Sequence, residues 1–212
     1  MSVMFINILR SLLLTASIIA MLSIVSFAQQ LSISDDKYKV WSANDSLQWA
    51  DFKKPPEEKD LKYGLKIKTL TSLVYFYTPS LWHIDSCMNV YVAVRKQHSF
   101  TWDSTNLQLL KHESIHFDIA ELFARYLRKE LITLSQSDDN TLDQYLYTRD
   151  SLIQAAHVFQ DKYDEETMYG LNSKAQKRWA EYVRDQLSAW KDYTFDKMPQ
   201  LCQEYLSKNE TN

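Results

Sequence analysis

Glycine is nearly missing from this sequence, with two residues in 212, alongside four prolines and two cysteines. That scarcity excludes a collagen-like repeat, a Gly/Ser-rich linker and a disulfide-dense small scaffold. An excess of one charge is also lacking, because 24 Lys and Arg stand against 27 Asp and Glu for a net charge of −3. No basic field exists to hold nucleic acid or an anionic membrane surface, so no nucleic-acid partner is expected. What is present is a supply of core-forming side chains, 45% hydrophobic and 13% aromatic. It excludes a disordered chain and suits one folded domain at this length. Histidine is scarce as well, at five residues, so position matters more than number.

The one long apolar run lies at the start. From Leu12 to Ala28 the chain reads LLLTASIIAMLSIVSFA without a charge, behind a segment whose only basic residue is Arg10. It ends in Ser26-Phe27-Ala28, with small residues at the two positions a signal peptidase reads, and polar Gln29-Gln30 follow. Residues 1–28 are therefore expected to be a signal peptide cleaved after Ala28, and 29–212 a single exported domain with no stable membrane insertion. An uncleaved anchor helix is the alternative, since the run is at the short limit for crossing a bilayer. Export would put Cys87 and Cys202 in an oxidising compartment, where they could pair. Neither belongs to a Cys-x-x-Cys pair, which disfavours a zinc site built from them.

Strands are expected before residue 100 and helices after it, an α+β arrangement. Leu65 to Lys68 alternates and Leu73-Val74-Tyr75-Phe76-Tyr77 is β-branched and aromatic, predicting one long strand over 65–78. Met88, Val90, Val92 and Val94 alternate with other residues, the mark of a half-buried strand over 88–95. Shorter strands are expected at 38–41 and 47–52. After Asp103-Ser104, either a candidate cap, the period changes to 3.6 through about residue 134, with His112, His116, Ile119, Phe123 and Leu127 on one stripe. Further helices are predicted over about 142–161 and 173–190, with 163–170 as the break between them.

His112-Glu113-Ser114-Ile115-His116 is His-Glu-x-x-His on a predicted helix. Residues four apart lie one turn apart on the same face, so two imidazoles can hold one zinc ion while the Glu between them projects beside the metal. There Glu113 can act as general base, taking a proton from water. The chain's own His and Glu frequencies give the pattern by chance roughly once in 200 such chains. A catalytic zinc needs a third protein ligand. The segment Tyr163-Asp164-Glu165-Glu166-Thr167-Met168-Tyr169-Gly170 offers Asp164 or Glu166, and Tyr169 as a donor to a developing oxyanion. Glu121 is expected to pair with Arg125 at i+4 rather than bind metal. His83, His98 and His157 are isolated, and Asp118 is a candidate to orient a motif histidine.

An ordered set of residues extends the pentapeptide. It comprises Leu47-Gln48-Trp49-Ala50-Asp51-Phe52; Leu110 through Glu121 around the motif, with Ala124-Arg125; and Tyr163-Asp164 with Thr167, Gly170, Gln176 and Trp179. With it the chain resembles, over most of residues 29–212, the bacterial family called domain of unknown function 922, predicted secreted zinc-dependent proteases of the zincin superfamily. The resemblance implies a zincin-like fold: a small N-terminal sheet packed on a long active-site helix, followed by further helices. It also implies an edge strand along an extended peptide substrate, for which 88–95 is the candidate. In that family a His commonly stands just before the glycine, where this chain has Tyr169. With Tyr169 as hydrogen-bond donor, Asp164 becomes the third zinc ligand; zincins with an aspartate ligand three before such a Tyr would point instead to Glu166.

The expected function is that of an exported zinc metallopeptidase, periplasmic, cell-surface or secreted in a bacterium. It would act on a peptide or protein substrate, with His112, His116 and Asp164 on Zn2+, Glu113 as general base and Tyr169 on the oxyanion. A non-catalytic zincin-fold binding or scaffold domain of the cell envelope is the alternative.

Overall fold

The computed structural model describes residues 36–57, 69–78, 88–137 and 141–201. The expected signal peptide, residues 65–68 of the expected long strand, His83 and both cysteines lie outside the described residues. The described residues form a mixed α/β fold in which short strands precede long helices. None of the helices among them is long and apolar enough to cross a membrane.

Three strands, β1 (Tyr38–Val40), β3 (Leu73–Thr78) and β4 (Asn89–Arg95), form an antiparallel sheet in the order β1-β4-β3. A two-stranded ladder joins β2 (Thr69–Leu70) to β5 (Phe100–Thr101). The expectation of one strand over 65–78 is corrected, because the chain bends at Thr71-Ser72 and passes from one sheet to the other. Hydrogen bonds hold that bend: the Ser72 amide donates to Ser99 Oγ at 2.9 Å, and the Arg95 amide to the Ser72 carbonyl at 2.8 Å.

The expectation that 88–95 is an edge strand is also corrected. β4 is central, paired with β1 from Tyr38↔Arg95 to Val40↔Ala93 and with β3 from Leu73↔Val94 to Thr78↔Asn89. Its alternation is real, but both faces are covered. Val90, Val92 and Val94 pack toward the helices, while on the other face Tyr91 stacks on Phe76 at 5.1 Å and meets Phe195 edge-on at 5.4 Å. A strand buried on both faces belongs in the middle of a sheet. Residues 49–51, expected in a strand, make a short 3-10 turn closed by Asp51, which accepts from the Gln48 amide and pairs with Lys96 at 2.9 Å.

Helix α1 (Leu107–Ser135) is capped by Asn106, whose side chain accepts from the Leu109 amide at 3.0 Å. The expected caps were Asp103 and Ser104; Asp103 instead binds Thr105 in a local turn. α1 is apolar on two sides. Ile115, Ile119 and Phe123 face α2 (Leu142–Thr167) and α3 (Ser173–Ala189), where Ala156, Tyr163, Trp179 and Val183 complete a core. Phe117 and Ala120 face β4 with Val92, Val94 and Leu47. A helix apolar on both sides is the buried centre of its domain.

Buried charge ties this centre to its surroundings. Glu121 receives Arg125 Nε at 2.9 Å and Arg128 Nη1 and Nη2 at 2.9 and 3.1 Å, so the expected i,i+4 pair is present and larger than foreseen. Arg128, fully buried, also donates to the carbonyls of Val90 and Tyr193, fastening α1 to the central strand and to the segment after α3. Full hydrogen bonding makes such burial tolerable.

Candidate metal centre

The motif residues leave α1 in two directions set by the helical period. His112 and His116 present their rings one turn apart toward α2, and Glu113, one residue round the helix, turns toward the bend after β2. α2 runs to Thr167, beyond the expected end at 161, so Asp164 and Glu166 stand on its last turns rather than in a loop. This extension gives the two acids different surroundings. Asp164 Oδ1 lies 2.9 Å from both His112 Nε2 and His116 Nε2, and the two nitrogens are 3.1 Å apart. His112, His116 and Asp164 form a group with one ligand atom each, all within 4.8 Å of one another. Glu166 points elsewhere, accepting from Trp179 Nε1 at 2.8 Å with Lys162 at 3.8 Å.

Electrostatics bind the three together. Burial works to raise the Asp164 carboxyl, but the hydrogen bonds with His112 and His116 outweigh it and hold it down at about 2. Burial opposes charge on His116, yet the bond to Asp164 and the carboxylates of Glu113 and Asp164 outweigh it and raise the imidazole above its usual value. Burial, with Glu113 and Asp164 adding to it, pushes the Tyr163 phenol far above its ordinary range, so it stays neutral. Tyr163 floors the site: its ring stacks on His112 at 4.6 Å, meets His116 edge-on at 4.8 Å, and its hydroxyl donates to the His112 carbonyl at 3.3 Å.

Gln160, one turn before Asp164 on α2, orients His116. Its Nε2 donates to the His116 carbonyl at 3.0 Å, which leaves its Oε1 to accept from His116 Nδ1. That bond places the ring proton on Nδ1 and the lone pair of Nε2 toward His112 and Asp164. Three electron-rich atoms thus converge where a positive centre must sit, either a proton or a metal ion. Two imidazoles and a carboxylate are a donor set suited to catalytic zinc, so the residues present fit the metal.

Glu113 is buried at 6% exposure and is not among the three converging groups. Thr71, in the bend after β2, donates to its Oε2 at 2.5 Å. One carboxylate oxygen is thereby held in place. No residue pattern points to Thr71, which lies in irregular backbone 42 residues away. Gln160 could have been found, since it precedes Asp164 by four on a helix and so shares its face.

The turn after α2 closes the site. Met168, Tyr169 and Gly170 have successive positive φ of 51°, 53° and 84°. Gly170 is required here: a Cβ would stand 3.1 Å from His112 Cγ and 3.2 Å from His112 Cβ. Its carbonyl accepts from Gln108 Nε2 at 2.7 Å, pinning the turn to α1 one helical turn before His112. Tyr169 lies on this turn with its side chain 60% exposed, outside the converging group.

Other candidates fall away from the centre. Asp118 does not orient a histidine; it accepts from Trp41 Nε1 at 2.8 Å, and burial raises its carboxyl. His98 and His157 are exposed. A cleft of about 490 Å³ lies along another side of α1, between Trp41 and Leu187, and it shares Ser114 with the motif but none of the ligand atoms. Comparison with known proteins finds no family model, curated protein or solved structure that matches the chain.

Proposed function

We propose that the protein is a zinc-dependent peptidase of zincin type, a member of the domain of unknown function 922 family, exported behind the segment 1–28. The observation that carries this reading is the single oxygen, Asp164 Oδ1, set 2.9 Å from both motif nitrogens while Glu113 stands beside them, outside the ligand group. His112, His116 and Asp164 would hold the metal. When bound, zinc supplies Lewis acidity, polarising a carbonyl and making water a stronger acid.

The chain's own residues do the rest. Glu113, fixed at Oε2 by Thr71, takes the proton from the attacking water at Oε1 and returns it to the leaving amine. Gln160 and Tyr163 keep the His116 and His112 rings in place. Tyr169, exposed at the rim, is the phenol available to a substrate carbonyl as charge builds on its oxygen.

The test joins metal analysis to peptide cleavage. Purified protein is expected to carry one zinc, which is lost in His112→Ala and Asp164→Ala and kept in Glu166→Ala. Glu113→Gln keeps the metal and loses cleavage of a peptide library by about 10²-fold or more. Full zinc in His112→Ala, or undiminished cleavage in Glu113→Gln, overturns the proposal. Zinc-loaded wild type that binds peptides without cleaving them makes the protein a zincin-fold binding domain.

A further inference from the structure

We infer that Gln176 is a positioning residue of the metal centre, its side-chain oxygen serving as the acceptor for His112 Nδ1, directly or across one enclosed water. This role rests on the zinc-binding reading above, to which it adds a residue from a third helix. Among the described residues, four buried side-chain polar atoms lack a hydrogen-bond partner: Trp49 Nε1, Tyr77 Oη, His112 Nδ1 and Gln176 Oε1. Buried polar atoms are nearly always paired, and an unpaired one carries a desolvation penalty that pairing removes. Gln176 Oε1 is the one atom of the four that accepts and never donates. It and the His112 ring are tied to the same turn of α1.

Most of what surrounds the His112 ring is already fixed. Tyr163 stacks on its face at 4.6 Å, Gly170 lies against its root, and Nε2 stands 2.9 Å from Asp164 Oδ1 and 3.1 Å from His116 Nε2. The Nδ1 edge has no such partner. With Nε2 committed as a ligand, a neutral imidazole carries its proton on Nδ1, so a donor is enclosed in a residue only 2% exposed. A metal-ligating histidine almost always gives this proton to an oxygen, which sets the orientation of its ring.

Gln176 brings the oxygen that is missing. In the first turn of α3 it is buried, and its Nε2 donates to the Gln108 carbonyl at 3.1 Å. Gln108 stands four residues before His112, one turn earlier on α1, so the amide group of Gln176 is anchored beside the turn that carries the ring. The Gln108 side chain holds the Gly170 carbonyl at 2.7 Å, and a Cβ on Gly170 would stand 3.4 Å from His112 Nδ1. The companion histidine shows the same device completed. Gln160 donates its Nε2 to the His116 carbonyl at 3.0 Å and accepts from His116 Nδ1 with Oε1. Each glutamine thus fastens its nitrogen to a backbone carbonyl of α1 near a motif histidine and keeps its oxygen for the ring, Gln160 from α2 and Gln176 from α3. A water accepting from His112 Nδ1 and donating to Gln176 Oε1 and the Gln108 carbonyl would have three partners, the usual number for a buried water.

The experiment uses the full chain loaded with zinc and reads the histidine ring protons by proton–nitrogen NMR beside zinc affinity in a chelator competition. In wild type both Nδ1 protons should be observed, shielded from exchange with solvent. Gln176→Leu should lose the His112 signal, keep that of His116, and bind zinc roughly 10- to 100-fold more weakly. Gln176→Glu, which retains an acceptor, should keep the His112 signal and recover most of the affinity. A glutamine that served packing alone would move both ring signals together or neither. Gln176→Leu with the His112 signal and zinc affinity of wild type overturns the inference, as does Gln176→Glu without the His112 signal; should Gln176→Leu fail to fold, Gln176→Glu decides alone. Wild type that binds no zinc overturns this role together with the peptidase reading. Zinc binding that depends on Gln176 in a protein that cleaves no peptide sinks the peptidase reading alone, and peptide cleavage with zinc binding indifferent to Gln176 sinks this role alone.

Discussion

Replacing Gly170 by alanine tests the geometry of the centre with one methyl group. Two costs add. At φ +84° an L side chain is strained by about 1–2 kcal/mol. The new Cβ would also stand 3.1 Å from His112 Cγ, closer than ordinary contact. The neighbour cannot swing aside, since the clash is with the root of a ring stacked on Tyr163 and bonded to Asp164 and His116. Overpacking of this kind costs about 1–3 kcal/mol. Gly170→Ala should therefore lose about 2–5 kcal/mol in urea unfolding, with an unchanged m-value, and its zinc affinity should fall as His112 is displaced. Met168→Gly supplies the opposite sign on the same turn, because Met168 is exposed at φ 51° and glycine relieves its strain. A gain of about 0.5–1 kcal/mol is expected there, part of the relief being offset by glycine's greater unfolded-state freedom. If Gly170→Ala unfolds at the wild-type urea concentration and binds zinc as wild type does, the close approach of the turn to His112 is refuted.

Other perturbations reach other parts of the molecule. Gln160→Leu removes the acceptor that fixes His116 Nδ1 and should weaken zinc binding 10- to 100-fold in a chelator competition; unchanged affinity would remove Gln160 from the site. Glu121→Ala leaves two buried guanidinium groups without their carboxylate and should cost about 3–5 kcal/mol in urea unfolding, whereas a loss under 1 kcal/mol would show that water reaches them. Zinc at a hundredfold excess over its dissociation constant should stabilise wild type by about 2.7 kcal/mol and Asp164→Ala far less, read as a shift in thermal midpoint.

Helical periodicity made part of this molecule legible and tertiary packing hid the rest. The spacing of His112 and His116 is a local property, so their shared face and the long helix beneath them followed from sequence. Asp164 is legible as the preferred third ligand with Glu166 as its rival, but the geometry that sets its carboxylate against both rings comes from α2 continuing to Thr167, through a run of acids that reads as a break. The valine alternation of β4 located a strand yet could not show its second face, because the aromatic cover comes from Phe76 and from Phe195, a hundred residues on. Thr71 was invisible for a related reason: its task is set by a bend that exists only where two sheets meet.

The burial of α1 on both sides has a kinetic meaning. Amides from His112 to Phe123 lie on the helix that every other layer packs against, so they should exchange with solvent only when the whole domain opens. Asp164 stands near the end of α2 but between Tyr163 and Thr167, both fully buried, and before a turn pinned to α1 by Gln108, so the third ligand is expected to open with the same core as the other two rather than by fraying of the helix end.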